Sequence, residues 1–151
     1  MFVTIDPGND LGWAIWNEDG LVECGLGDPR SSQSHKMSSI HDAWIEDQVI
    51  YPRSPVPPSD VLTLAKCAHR WAGRYDVLGA AVHFVEPSRW KGQVPKDISH
   101  ARAWAKLSSK EREAVNRGCK GVAPKKRHNV LDAVAMGLWV VEHGLAKGYR
   151  L

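Results

Sequence analysis

The chain has 151 residues, 43% of them hydrophobic and 25% charged, and a formal net charge of +3. That is the profile of one ordinary globular domain with a real core, too short for two. No run approaches the ~20 apolar residues of a membrane-spanning helix. Residues 1–6 lack the basic start of a signal peptide. Cys24, Cys67 and Cys119 are odd in number and widely spaced, which fits reduced cytosolic thiols rather than a disulfide framework or a zinc site. A cytoplasmic protein is expected.

Residues 2–6 are apolar or β-branched and read as a strand. Asp6-Pro7-Gly8-Asn9-Asp10 reads as a tight turn. Residues 11–16 read as a second strand, Asp19-Gly20 as a hairpin turn, and residues 21–26 as a third strand, together an antiparallel meander. Residues 27–43 are polar and Ser-rich, with room for one short helix near 37–43. Residues 44–51 read as a fourth strand. Four prolines between positions 52 and 58 mark a loop.

Ser59 is a candidate N-cap for a helix over 60–75, whose apolar face is Val61, Leu62, Leu64, Ala65, Ala68, Trp71 and Ala72. Residues 80–85 read as the fifth strand. A basic connector over 87–96 leads to a helix capped by Asp97 or Ser99 and running to about 107. Ser108 and Glu111 have capping-box spacing, so a further helix starts there and stops near Gly118. Residues 122–127 are a basic loop, and the last helix spans 128–143. This order predicts an α/β fold, a five-stranded mixed sheet flanked by helices.

Charge is unevenly distributed. Residues 1–86 carry −6, residues 88–127 carry +9, and residues 128–151 are neutral. An acidic part followed by a basic stretch suits an enzyme that uses metals in one place and grips phosphates in another.

Three acids stand where such a fold gathers side chains. Asp6 ends the first strand. Glu46 lies in the apolar fourth strand. Asp132 lies in a helix that is apolar nearly all round and therefore buried. A buried carboxylate needs a cation or a charged partner, whether a metal or a Lys or Arg. Crowded carboxylates repel, and bound divalent cations reverse that sign. Asn129 and His128 precede Asp132 by three and four residues and share its face. Lys125, Lys126 and Arg127 oppose the dipole of the helix they precede, so a phosphate contact explains them better than stability does. Most tryptophans (Trp13, Trp16, Trp44, Trp71, Trp104, Trp139) fall on predicted core faces. Trp90 lies in the basic connector, where it touches DNA or orders the loop. His35, His41, His69, His83, His100 and His143 show no ligand spacing and are read as surface or core residues.

Ile5-Asp6-Pro7-Gly8 with Leu11-Gly12-Trp13-Ala14, Ile45-Glu46-Asp47-Gln48, Pro87-Ser88-Arg89-Trp90-Lys91-Gly92 with Lys96, and His128-Asn129-Val130-Leu131-Asp132-Ala133 resemble, in order, the RuvC-type Holliday junction resolvases. Those enzymes are ribonuclease H-like. Trp-Lys-Gly and the compact length look most like the phage branch. The resemblance implies one ribonuclease H-like nuclease domain over 1–151. It implies a tetrad of Asp6, Glu46, Asn129 and Asp132 holding two Mg²⁺ or Mn²⁺ ions, and phosphate contacts from Lys91 and Lys96. It also implies a homodimer that nicks a four-way DNA junction symmetrically in a bacterial host cell. Ile50, Tyr51 and Arg53 are candidates to line the junction centre.

Two features depart from the family pattern. Asn129 stands where an acid or His is usual. Either His128 substitutes for it, or the Asn, natural or introduced, leaves a protein that binds junctions with impaired cutting. Residues 27–43 leave little room for the family's first long helix. A flap or branched-DNA endonuclease of the same superfamily is the alternative activity. A sugar-kinase-like fold, which also opens on Asp-x-Gly, needs a second lobe that 151 residues cannot supply.

Overall fold

The protein is described here from a computed structural model, which covers residues 1–31, 37–49 and 56–146. Ile50, Tyr51 and Arg53 lie outside the described residues.

Strands β1 (Phe2–Asp6), β2 (Gly12–Asn17) and β3 (Gly20–Leu26) form the expected antiparallel meander. β4 (Asp42–Glu46) and β5 (Ala81–Val85) then pair parallel, β4 with β1 and β5 with β4. The order is β3-β2-β1-β4-β5. This is the α/β arrangement expected from the sequence, a five-stranded mixed sheet flanked by helices. β1 is central, and its first four residues are fully buried.

Helices cover both faces. α1 (Pro58–Val77) packs on one, against Val3, Ile5, Trp13, Ile15, Ala43 and Ile45. The other face, with Phe2, Ala14, Trp16 and Trp44, meets α3 (Lys96–Lys106), α4 (Ser109–Gly118) and α5 (Arg127–Glu142). A short helix α2 (Pro87–Trp90) lies in the basic connector.

Several boundaries differ from the sequence reading. β4 ends at Glu46 instead of running to 51. The expected helix near 37–43 is one 3-10 turn, Met37–Ser39, and Asp42 already begins β4. α1 starts at Pro58 after Pro57, with no side-chain cap, so Ser59 is inside the helix. Proline there supplies the helical φ and lacks an N–H that would have no partner. Leu62 is more than half exposed and leaves the apolar face, whereas Tyr75 joins it. α3 follows Pro95, not an Asp or Ser cap. Trp104 is exposed and lies near the Arg112 guanidinium, so it is no core residue. The Ser108–Glu111 capping box forms as read.

α5 is held against the sheet by small residues and one buried hydroxyl. Thr4 Oγ1 donates to the Ala133 carbonyl at 2.7 Å. Gly137 leaves room for the Trp16 indole, and Gly12 for the Asn129 carbonyl; a Cβ at either would overlap them. At Gly12 the obstacle is helix backbone, which cannot rotate aside. Gly12→Ala is therefore expected to destabilise the fold by about 1–3 kcal/mol or more. Urea unfolding monitored by tryptophan fluorescence checks this.

Candidate active site

Strand geometry places two of the acids. The parallel register Ile5↔Ile45 brings the ends of β1 and β4 side by side, so Asp6 and Glu46 are neighbours. Side chains alternate across a strand. Val3, Ile5, Ala43 and Ile45 face α1, which leaves Asp6 and Glu46 on the side of α5. Asp132 comes from α5, one residue before the Ala133 carbonyl that Thr4 anchors. Asp6, Glu46 and Asp132 thus line one cleft of about 500 Å³. Lys91, Lys96, Lys125, Lys126, His128 and Asn129 line it too.

Glu46 and Asp132 are buried, and Asp6 is partly open to the cleft. Glu46 Oε2 accepts from Trp90 Nε1 at 3.1 Å and from Lys91 Nζ at 3.3 Å; Oε1 accepts from Gln48 Nε2 at 3.2 Å. Asp132 Oδ2 accepts from Lys96 Nζ at 2.8 Å, and Oδ1 meets His100 Nε2 at 2.7 Å. Among the described residues no hydrogen bond or salt bridge reaches the Asp6 carboxylate.

These contacts set the charges. Burial, then the charges of Glu46 and Asp132, push the Asp6 carboxyl well above the usual carboxylate range. Burial alone would raise Asp132 too, but the bonds from His100 and Lys96 outweigh it and hold it below its ordinary value. Burial would lower the Lys96 ammonium, but its bond to Asp132 and the charges of Asp132, Asp6 and Glu46 raise it instead. One carboxyl is strained by its neighbours while another is neutralised beside it. Opposed perturbations in one cleft make it a candidate functional site.

The remaining sequence candidates fall as follows. Trp90 is committed to Glu46 and stands near Lys91 Nζ, 4.9 Å from its ring centre. Lys126 pairs with Asp10 Oδ1 at 2.6 Å. Lys125 and His128 are exposed on the cleft wall. Arg127 does not line the cleft; its Nε donates to the Val122 carbonyl at 3.0 Å. Asn129 Nδ2 donates to the Asp10 carbonyl at 2.8 Å, tying the start of α5 to the β1–β2 turn. An Asp there would set a carboxylate against that carbonyl. Asn129→Asp is expected to cost about 1–3 kcal/mol in stability, read by urea titration.

Two residues went unread in the sequence. His100 touches Asp132 from outside the cleft, since it does not line it. Its spacing of four from Lys96 put both on one face of α3, which was the available signal. Asp10, read as part of a turn, accepts from both Lys126 and Asn129.

The donors suit a hard cation. Three carboxylates offer oxygen ligands, as Mg²⁺ and Mn²⁺ prefer, and that of Asp6 is not engaged by any described donor. Among the described residues no three His, Cys, Asp or Glu side chains form a ready metal shell. Lys91 and Lys96 stand on Glu46 and Asp132 instead.

No family model matches the chain, and no curated protein matches it. Among solved structures, Thermus thermophilus RuvC in complex with Holliday junction substrate is similar to it at 17% identity and a TM-score of 0.44, over 97% of this chain and 98% of that one. A Thermus thermophilus RuvC structure matches at 18% identity and a TM-score of 0.40, over 95% and 96%. Likeness at this level carries no chemistry across, so the fold and the cleft are read from the chain itself.

Proposed function

We propose that the protein is a metal-dependent endonuclease that hydrolyses phosphodiesters in branched DNA, with the four-way junction as its substrate. One observation carries this reading: Asp6, Glu46 and Asp132 converge on a single cleft whose other walls are rich in lysine. Carboxylates in that number suit cations, and lysines beside them suit the phosphates that cations help cleave. Asp6, Glu46 and Asp132 would hold Mg²⁺ or Mn²⁺. When bound, two such ions supply an activated water and stabilise the leaving 3′ oxygen.

The chain's own groups have definable parts. Asp6 shares the cleft with the two other acids and feels the charge of both. Lys91 and Lys96 neutralise Glu46 and Asp132 while the cleft holds no other cation. With Mg²⁺ or Mn²⁺ held by the acids, the ammonium groups of Lys91 and Lys96 would stand in the same cleft, in reach of the substrate's phosphates. Lys125 and Lys126 add phosphate contacts that carry no sequence information. Trp90 and Gln48 keep Glu46 oriented through bonds that do not compete for charge. A homodimer with two-fold symmetry would match a two-fold junction and give paired nicks. The bacterial cytoplasm, a phage-infected cell included, is where such a substrate and reduced cysteines coexist.

An incision assay tests this reading. Labelled four-way junction, flap and linear duplex are each incubated with Mg²⁺ or Mn²⁺. Symmetric nicks in the junction, with little duplex cutting, are expected. Equal cutting of flap and junction favours the broader branched-DNA activity, and binding without cutting favours an impaired binder. The Asn129 amide, held by Asp10, is the observation behind that last alternative. In that case Asn129→Asp restores cutting.

A further inference from the structure

α1 carries Lys66, Arg70 and Arg74 one turn apart on a single stripe, ~6 Å per step along its axis. With Arg30 they line a groove of about 500 Å³ between α1 and the β1–β2 turn. The groove opens into the catalytic cleft, since Gly8, Asn9 and Leu64 line both. Asp28 is the one acid among its described lining residues, and it is engaged by Arg30. Among the described residues no salt bridge meets Lys66, Arg70 or Arg74.

Like charges at this spacing repel one another. Glu142 meets Lys106 and Asp10 meets Lys126, whereas other exposed cations such as Lys110 and Lys120 also have no salt bridge among the described residues; what sets the α1 cations apart is their regular spacing along one groove. Arg74 lies over the Trp71 ring, 4.5 Å from its centre, and its charge acts on Asp28, but no acid among the described residues meets Lys66 or Arg70. An extended polyanion in the groove would turn repulsion into attraction. The overall charge balance hid the stripe, because it lies in a part of the chain that is acidic on balance.

We infer that this groove is a second phosphate track: Lys66, Arg70 and Arg74 hold the sugar–phosphate backbone of the DNA strand that runs out of the catalytic cleft. The inference rests on the nuclease reading and extends it to a part of the surface distant in sequence from the basic connector. Each neutralised phosphate releases counterions, so the track has a thermodynamic signature apart from cleavage.

The test is fluorescence anisotropy of a labelled four-way junction across a range of KCl in EDTA. The groove variant is Lys66→Gln/Arg70→Gln/Arg74→Gln. A charge-matched control, Lys110→Gln/Arg117→Gln/Lys120→Gln, alters exposed positions in and just after α4. The slope of log affinity against log salt should become shallower by roughly 2–3 in the groove variant, ~0.9 for each phosphate no longer neutralised. The control should keep the wild-type slope to within about one, and Arg70→Lys/Arg74→Lys should retain it. If the triple variant fails to fold by circular dichroism, Lys66→Gln/Arg70→Gln is read the same way, with an expected change of roughly 2. An unchanged slope in the groove variant, or an equal change in the control, overturns the track. A wild-type protein that binds no DNA overturns the track and the nuclease reading together. A slope change without Mg²⁺- or Mn²⁺-dependent nicking supports the track and sinks the nuclease reading alone.

Discussion

Asp6→Asn is expected to melt at a higher temperature than the wild type in EDTA near neutral pH, and to have lost cleavage by about 10³-fold or more. Both effects follow from one carboxylate. Burial and the charges of Glu46 and Asp132 raise its pKa in the fold. The folded chain therefore holds a proton that the unfolded chain releases sooner. Stability falls as pH rises from the ordinary carboxylate range through the folded value. The amide carries no charge and escapes that loss. Each kcal/mol of relief raises the melting temperature by roughly 2–4 °C in a domain of this size. The advantage of the variant should shrink toward pH 4, where wild-type Asp6 is protonated as well. Added Mg²⁺ should reverse the order, because a cation bound only by the folded wild type stabilises it. The cleavage loss is of the size that several kcal/mol of lost charge stabilisation implies, at ~1.4 kcal/mol per tenfold. Differential scanning fluorimetry at two pH values with and without Mg²⁺, beside a nicking assay, reads all of it. A variant less stable in EDTA at neutral pH would contradict the crowding of charge.

His100→Ala is the second large expectation. His100 holds Oδ1 of Asp132, and Lys96 holds Oδ2. Asp132 is 2% exposed and His100 is mostly covered, while the Lys96 side chain is about half exposed. His100 is therefore the fixed partner and Lys96 the exchangeable one. Removing the imidazole should destabilise the chain by about 1.5–3 kcal/mol, as for a hydrogen bond to a charged group. It should also weaken Mg²⁺ affinity and cleavage by roughly 10–100-fold, because Asp132 loses its orientation. His100→Gln keeps an N–H donor and should recover most of both. Calorimetric Mg²⁺ titration separates this positioning role from a merely structural one. An alanine variant with wild-type metal affinity would refute it.

The sheet was legible because strand signals were local. Residues 2–6 alternate between two buried faces, and Asp19-Gly20 fixes the hairpin. The capping box before α4 was equally plain. Three features were hidden for different reasons. β4 looked longer because Val49 and Ile50 continue its apolar pattern, yet its ladder ends where β1 turns away. His100 has no ligand spacing in sequence; its partner lies 32 residues on, and only packing of α3 against α5 joins them. The α1 stripe was masked by averaging charge over a long acidic segment, although i, i+4 spacing was there to be read.

Electron paramagnetic resonance of Mn²⁺ tests the central claim most directly, because free and bound ion are counted without any substrate. The account predicts about two bound ions per wild-type chain, and fewer in Asp6→Asn and in Asp132→Asn. A wild-type chain that leaves all the Mn²⁺ free, or variants that bind as many ions as it does, would contradict it.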